Sequence, residues 1–310
     1  MNRRAVRPIL LVLLLSVLLC SCVTKMPYGD EQYFQGLGLD GQFVITVNGD
    51  LIDKDQYIQS DDAGVNYIKD RMSRLSIALN ENGTATEAVT TDFSKYDYYG
   101  AIEGNFSKTL ISGALNLNTL FRSEKDDKTG LKFFVDNTSG LQAAVPQKGI
   151  ILFSSTDVVS NYNQTFVKDR EKLISDEDAA KLASSQIGIY VSNPNTMIDL
   201  GLDLTETALS NIDTVLIVID DDVVSIDFKL KSQDLADSFS VLIKAGYVGN
   251  LRKNGQKPDI AELQKMFTQE LDKVSVNGMT LPKEQKDAVS EVIEKLLSII
   301  YFSKPISAMA

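Results

Sequence analysis

The same order of predicted strands and helices occurs twice along this chain of 310 residues. In the first half, the apolar run Phe43–Val47 predicts a strand, and Ser107 is predicted to cap a later helix. In the second half, residues 186–192 match residues 42–48 at an offset of 144, and Ser232 corresponds to Ser107. A chain patterned in this way is expected to build two similar groups of strands and helices.

Each half follows the order βαββαβ, which is the order of the ferredoxin-like split βαβ unit. We therefore expect an α+β fold made of two tandem ferredoxin-like (βαββαβ-type) units, with antiparallel sheets and helices packed on one face. The expected domains are 36–174 and 175–310, and a helix capped by Ser175 joins them. The alternative is one mixed α/β domain in which the similar order arose by chance.

Apolar spacing predicts three further helices. The first is capped by Ser60 and carries Val65, Ile68, Met72 and Leu75. The second begins at Pro258-Asp259 and places on one face Ile260, Leu263, Phe267 and Leu271. The third begins at Pro282, has an apolar stripe from Val289 to Ile300, and mixes lysines with acids on its opposite face. Because a membrane-surface helix has a basic polar face, we expect this third helix to pack against the sheet.

The first residues divide into a basic segment, a short apolar segment and two cysteines. Arg3, Arg4 and Arg7 precede the apolar run Ile9–Cys20, which is too short for a bilayer core of about 30 Å. This arrangement is typical of a secretion signal. The segment Leu19-Cys20-Ser21-Cys22 resembles the lipobox of bacterial lipoproteins, in which a small residue precedes a cysteine that becomes lipid-modified and N-terminal.

The lipoprotein resemblance implies that residues 1–21 are a removable signal peptide, that Cys22 is acylated, and that residues 22–35 form a tether. It also implies a cell-envelope location, with the membrane as a partner through the acyl anchor. Several acyl chains hold a protein at a membrane essentially permanently. Val23 is not the aspartate that retains some lipoproteins at the inner membrane, so the outer membrane or the cell surface is favoured. Two alternatives remain: acylation of Cys20, and an ordinary signal peptide cut elsewhere.

Acidic residues outnumber basic ones by 42 to 31, which gives a net charge of −11 at pH 7. Removal of the three arginines of the signal lowers the net charge to −14. A surface of this sign repels nucleic acids and anionic lipid headgroups. We therefore expect no nucleic-acid partner.

The chain contains no histidine, and its only cysteines are Cys20 and Cys22. The lack of histidine excludes serine–histidine and cysteine–histidine nucleophiles and histidine zinc sites. Once the signal peptide is removed, redox-active cysteine pairs are excluded as well. The sequence from Gly36 to Gly41 matches G-x-G-x-x-G, but no strand is predicted before it and no helix after it, as dinucleotide binding requires. We expect no catalytic residue and no cofactor.

Two groups of residues are weak candidates for a site. Asp220, Asp221 and Asp222 are weak candidates for a calcium site, but they lack the spacing of calcium-binding loops and are ordinary turn residues. Tyr96, Tyr98 and Tyr99 form a cluster that strand alternation explains, with one face in the core.

The sequence thus predicts a lipid-anchored, non-catalytic envelope lipoprotein that binds a protein partner or serves envelope assembly. The first alternative is a lipid-anchored carrier or receptor for a small apolar ligand, which needs an apolar pocket. The second is a hydrolase that uses a pair of carboxylates, since 42 acidic residues allow many such pairs.

Overall fold

A computed structural model describes residues 43–81, 96–166, 174–192, 194, 206–253, 255–281 and 283–297. The predicted signal peptide, Cys22 and the tether lie outside the described residues. The sequence also predicts a helix over 197–211, and most of that range lies outside them too.

The described strands form one twelve-stranded antiparallel sheet. Their bounds are β1 Phe43–Asn48, β2 Met72–Glu81, β3 Tyr96–Gly104, β4 Phe121–Lys125, β5 Lys132–Asp136, β6 Gln142–Ala144, β7 Ile150–Ser154, β8 Ile187–Ser192, β9 Ile212–Asp220, β10 Val223–Leu230, β11 Phe267–Glu270 and β12 Lys273–Thr280. The spatial order is β11-β12-β10-β9-β8-β1-β2-β3-β7-β6-β5-β4. The expectation of an α+β fold with antiparallel strands is therefore confirmed.

The two halves of the chain meet edge to edge at the pair β1–β8. Ile45 lies opposite Ile189, while Phe43 pairs with Val191 and Val47 with Ile187. The offset of 144 aligns Phe43 with Ile187 and Val47 with Val191, so corresponding residues lie at equal distances on either side of the Ile45–Ile189 pair. Through this symmetric pairing of β1 with β8, the two groups of strands form a single sheet.

Two separate ferredoxin-like units are not confirmed. The strands β1-β2-β3 and β8-β9-β10 are neighbours in chain order and antiparallel, whereas a βαβ unit pairs parallel strands across a helical crossover. The difference is clearest at β1 and β2, which are connected through the helical segments Lys54–Tyr57 and Ala63–Arg71 and yet pair directly and antiparallel, with Ile45 opposite Ile77.

The described helices cover both faces of the sheet, so the expectation of helices on one face is wrong. Their bounds are α1 Lys54–Tyr57, α2 Ala63–Arg71, α3 Lys108–Leu117, α4 Val158–Phe166, α5 Asp176–Ser184, α6 Glu206–Leu209, α7 Gln233–Lys253, α8 Ile260–Met266 and α9 Lys283–Leu297. We call the side with Ile45 and Ile102 the first face and the side with Val44 and Ala101 the second face. The helices α2, α3, α7 and α9 pack on the first face, and α4 and α5 pack on the second. Central strands that are apolar on both sides need cover on both sides.

Helix α5 crosses the junction of the two halves on the second face. The Ser175 hydroxyl accepts a hydrogen bond from the Asp178 amide at 3.1 Å, so the predicted cap is confirmed. Thr46 on β1 donates to the Leu182 carbonyl at 3.5 Å. Lys181 lies 2.7 Å from Asp227 on β10. The helix is therefore bonded to strands of both halves.

Two of the three further helices differ from prediction. Asp62, not Ser60, caps α2, and Met72 already belongs to β2. Helix α8 ends at Met266, and Phe267 begins the hairpin β11–β12. The third helix is confirmed as α9, which buries Ile293, Leu296 and Leu297 in the core of the first face.

Candidate functional site

The second face carries buried polar side chains within an otherwise apolar layer. Thr46, Ser76 and Glu103 lie on the adjacent strands β1, β2 and β3 and are almost fully buried. The Thr46 hydroxyl donates to carbonyl groups of α5 and β8. The Ser76 hydroxyl and both carboxyl oxygens of Glu103 have no hydrogen-bond partner. Buried polar atoms of this kind are rare and mark places with a special role.

Glu103 is the most unusual of these residues. Its side chain is 1% exposed, and Arg74 Nη1 lies 3.6 Å from its Oε2. That separation is an ion pair but too long for a hydrogen bond. Burial raises the pKa of Glu103 to about 7, although the charge of Arg74 acts in the opposite direction. The carboxyl group therefore changes its charge near neutral pH.

A bulge in β2 places Arg74 opposite Glu103. Met72 pairs with Gly104 and Arg74 pairs with Glu103, so Ser73 is the extra residue. The bulge allows Met72 to point into the core of the first face while Arg74, two residues later, lies on the second face. Bulges often re-aim side chains in this way.

Helix α4 covers β3 and β7 beside this cluster. Asn161 donates through Nδ2 to the carbonyl oxygens of Gly100 at 3.0 Å and Phe153 at 3.1 Å. The sequence of α4, VVSNYNQTF, contains no charged residue. Burial raises the pKa of Glu103, and the charge of Arg74 opposes that rise. The described part of this site therefore offers a single carboxyl group, whereas glycoside hydrolysis needs two.

A groove of about 460 Å³ lies between the end of α7 and α8. Its lining combines apolar and polar side chains, namely Tyr247, Leu251, Gln256, Lys257, Asp259, Glu262, Leu263 and Met266. The Tyr247 ring packs against the Phe267 ring with a centroid separation of 5.5 Å. Burial and, to a lesser extent, Glu262 raise the pKa of Tyr247. The volume falls within the range of small-molecule sites.

Three leucines of α3 and the turn after it point into solvent. Leu110, Leu117 and Leu120 are 48%, 67% and 49% exposed, and we call them the α3 row. By its spacing in the sequence, Leu110 would join Ile111, Ala114 and Leu115 on the inner side of α3, but the structure buries only the last three. Leu110 and Leu117 lie seven residues apart, which places them on the same side of the helix.

The three aspartates of the weak calcium candidate have protein partners. Asp220 Oδ1 accepts a hydrogen bond from the Gln186 amide, and Asp221 Oδ1 accepts one from Gln186 Nε2. Asp222 pairs with Lys286 at 2.6 Å. Within the described ranges, no group of three acidic residues is arranged to hold a metal ion.

The tyrosine cluster is divided between the two faces of the sheet. Tyr96 and Tyr98 pack on the first face, and Tyr99 packs on the second. Alternation is confirmed, but both faces are covered at this strand, not one. No helix among the described residues has the length and hydropathy of a membrane-spanning segment.

Sequence reasoning missed Glu103 and the groove. The signal for Glu103 was present: it is the lone acid of the segment Tyr98–Phe106 and directly follows Ala101 and Ile102. No sequence signal marks the groove, since its lining residues come from two helices and the turn between them.

No protein-family model matches the chain, and no curated protein matches it. Among solved structures, crystal form I of TP0453 is similar, with a TM-score of 0.51 and 12% identity over 86% of this chain and 97% of that chain. Crystal form IV of TP0453 gives a TM-score of 0.48 and 11% identity over 83% of this chain and 96% of that chain. At this identity the likeness to crystal form I concerns the fold alone.

Proposed function

We propose that this chain is a lipid-anchored, non-catalytic lipoprotein of the cell envelope that binds a protein partner. The observation that carries the binding role is the α3 row, Leu110, Leu117 and Leu120. Single exposed apolar residues are ordinary, whereas apolar residues grouped on one side of a helix are a feature of interaction surfaces. The anchor is supported by the lipobox-like segment that ends at Cys22.

The sheet edge beside the α3 row favours docking through side chains. The edge strand β4 exposes Arg122, Glu124 and Lys125, and Arg122 lies 2.6 Å from Glu124. Charged edge strands discourage the addition of a further strand. A partner in this region is therefore expected to contact the leucines of α3 and not to extend the sheet.

Replacing Leu117 with glutamate is expected to reduce crosslinking to the partner in intact envelopes about tenfold, because a charge would be placed in an apolar contact. Leu117 is already exposed, so the free energy of unfolding should change by no more than about 0.5 kcal/mol. The measurement is the yield of a defined crosslinked complex.

Val223→Glu is the matched control, since Val223 is 45% exposed at the turn between β9 and β10. This variant should crosslink as the wild type does. Equal yields from the wild type and Leu117→Glu would contradict the role of the α3 row.

Replacing Cys22 with serine is expected to abolish acyl labelling and to leave the signal peptide attached, because the serine hydroxyl does not replace the thiol that carries the lipid. The measurement is incorporation of a labelled fatty acid, followed by the size of the product. Cys20→Ser serves as the control and should retain label. Label that persists in Cys22→Ser and disappears in Cys20→Ser would move the anchor to Cys20.

The groove between α7 and α8 favours a second candidate, a carrier for a small apolar ligand. Its volume fits a small molecule, and Leu251, Leu263 and Met266 supply the apolar part of its mixed lining. Native mass spectrometry of the extracted protein tests this candidate: a carrier shows one bound molecule per chain, and Leu251→Arg in the groove removes it. Leu242→Arg, on the exposed side of the same helix, is the control and should keep the molecule. Protein without any bound molecule would count against the carrier.

We also propose that the halves 36–174 and 175–310 are copies of one unit. The support is the symmetric ladder about Ile45 and Ile189 and the equivalent positions of α3 and α7 after β3 and β10.

A further inference from the structure

Two neighbouring side chains of the second face bury polar atoms that have no hydrogen-bond partner. They are Ser76 on β2, which is 0% exposed, and Glu103 on β3, which is 1% exposed. The unpaired atoms are the Ser76 hydroxyl oxygen and both Glu103 carboxyl oxygens. Desolvating a polar atom without pairing it is unfavourable, so buried polar atoms in native proteins are nearly always bonded to protein or to an ordered water molecule.

The register of β2 and β3 brings these unpaired atoms to one place. Ser76 lies opposite Ala101, and Arg74 lies opposite Glu103. Side chains two residues apart on a strand point to the same face of the sheet, so Ser76 and Glu103 are diagonal neighbours on the second face. The Cβ atoms of diagonal neighbours lie about 7–8 Å apart or somewhat less, within reach of a long side chain. The two side chains are therefore close together, and yet no hydrogen bond joins them directly.

Arg74 faces the same carboxyl group without bonding to it. Its Nη1 lies 3.6 Å from Oε2 of Glu103, which is too long for a hydrogen bond. Polar groups held at such a separation are often bridged by water. A metal ion fits this place poorly, because Arg74 would repel a cation and because calcium needs six to eight oxygen ligands.

Thr46 shows how a neighbouring hydroxyl of the same layer is paired. It lies opposite Ser76 on β1 and is 1% exposed. Its hydroxyl donates to the carbonyl groups of Leu182 on α5 and Gly188 on β8. The protein itself thus satisfies Thr46, whereas Ser76 and Glu103 need a partner that the chain does not supply.

We propose that Ser76 and Glu103 form the binding site of one buried water molecule on the second face of the sheet. The water oxygen accepts a hydrogen bond from the Ser76 hydroxyl, and the water donates a hydrogen to a carboxyl oxygen of Glu103. Arg74, which faces the same carboxyl group, is placed to provide a third contact, and about three is the usual number for a buried water. This inference does not depend on the proposed partner or on the lipid anchor.

A crystal structure of the full-length mature protein, at a resolution that shows ordered water, tests the proposal. We expect a water oxygen within about 2.5–3.0 Å of both the Ser76 hydroxyl and a Glu103 carboxyl oxygen. Glu103→Leu should lose this water, because both carboxyl oxygens are removed from a side chain of similar size. Glu103→Gln should keep it, since the amide retains an acceptor oxygen. Thr46→Val is the matched control on the adjacent strand and should also keep it.

Oxygen-17 relaxation dispersion, which counts long-lived water molecules in solution, provides the second measurement. The wild type should hold about one more such molecule per chain than Glu103→Leu. Three outcomes would overturn the proposal: a wild-type structure without water at this place, a direct hydrogen bond between Ser76 and Glu103, or the same water in Glu103→Leu. The first two are read from the wild type alone, so the proposal is decided even if Glu103→Leu does not fold.

Discussion

Gly100→Ala is expected to lower the free energy of unfolding by about 3 kcal/mol or more, because a methyl group at this position has no space. The added Cβ would collide with the backbone carbonyl oxygen of Ser76 and lie 2.6 Å from Cζ of Phe153. It would also lie 3.1 Å from the Cα of Ile77. Two of these three atoms belong to the backbone of β2, so relief requires β2 and β3 to separate. Chemical denaturation measures the loss.

Gly113→Ala is the matched control for this substitution. Gly113 lies inside α3, and an added Cβ there meets no described atom within 4 Å. Alanine in a helix interior is favoured over glycine, so this variant should gain about 0.5–1 kcal/mol. A similar change in stability for both variants would contradict the packing of β2 against β3.

Glu103→Gln is expected to make the protein more stable than the wild type by about 3 kcal/mol at pH 8 and to leave stability near pH 4 almost unchanged. The sign follows from the direction of the pKa shift. Folding raises the pKa of Glu103 from an ordinary 4.5 to about 7, so the folded state holds the proton more tightly than the unfolded chain. The wild type therefore loses stability as the pH rises from about 4.5 to 7, and the loss then levels off.

Glutamine has the shape of the protonated acid and does not titrate, so the variant should lack this slope. The measurement is the free energy of unfolding against pH for both proteins. Glu124→Gln, which removes an acid from the exposed edge strand, should keep the slope of the wild type. Parallel curves for Glu103→Gln and the wild type would show that Glu103 is ionised and stable in the folded state.

The sequence predicted the elements whose signals are local. Ser107 and Ser175 cap helices as expected, because a cap needs only the amides two or three residues further on. The signals of β5 and β7 are equally local, since the sequence shows each strand as a short apolar run between turn residues. The prediction of α8 was wrong at its end, where it included Leu271. It fits a helical spacing with Phe267, yet it adopts a φ of 52° in the turn between β11 and β12, and no glycine or asparagine marks that turn.

The joining of the halves was not predictable from one sequence. The pattern of Phe43–Val47 shows a buried strand, but the choice of β8 as its second neighbour depends on contacts about 144 residues apart. The burial of Glu103 was not predictable for a related reason. Its burial depends on the cover that α4 gives to β3, and α4 itself was not predicted.

The most direct test of the lipid-anchored assignment is mass spectrometry of the protein extracted from its native envelope. The account predicts that the mature chain begins at Cys22 and that its first tryptic peptide, Cys22–Lys25, carries the mass of the attached acyl chains. A mature chain that begins at any other residue, or an unmodified Cys22, would contradict it.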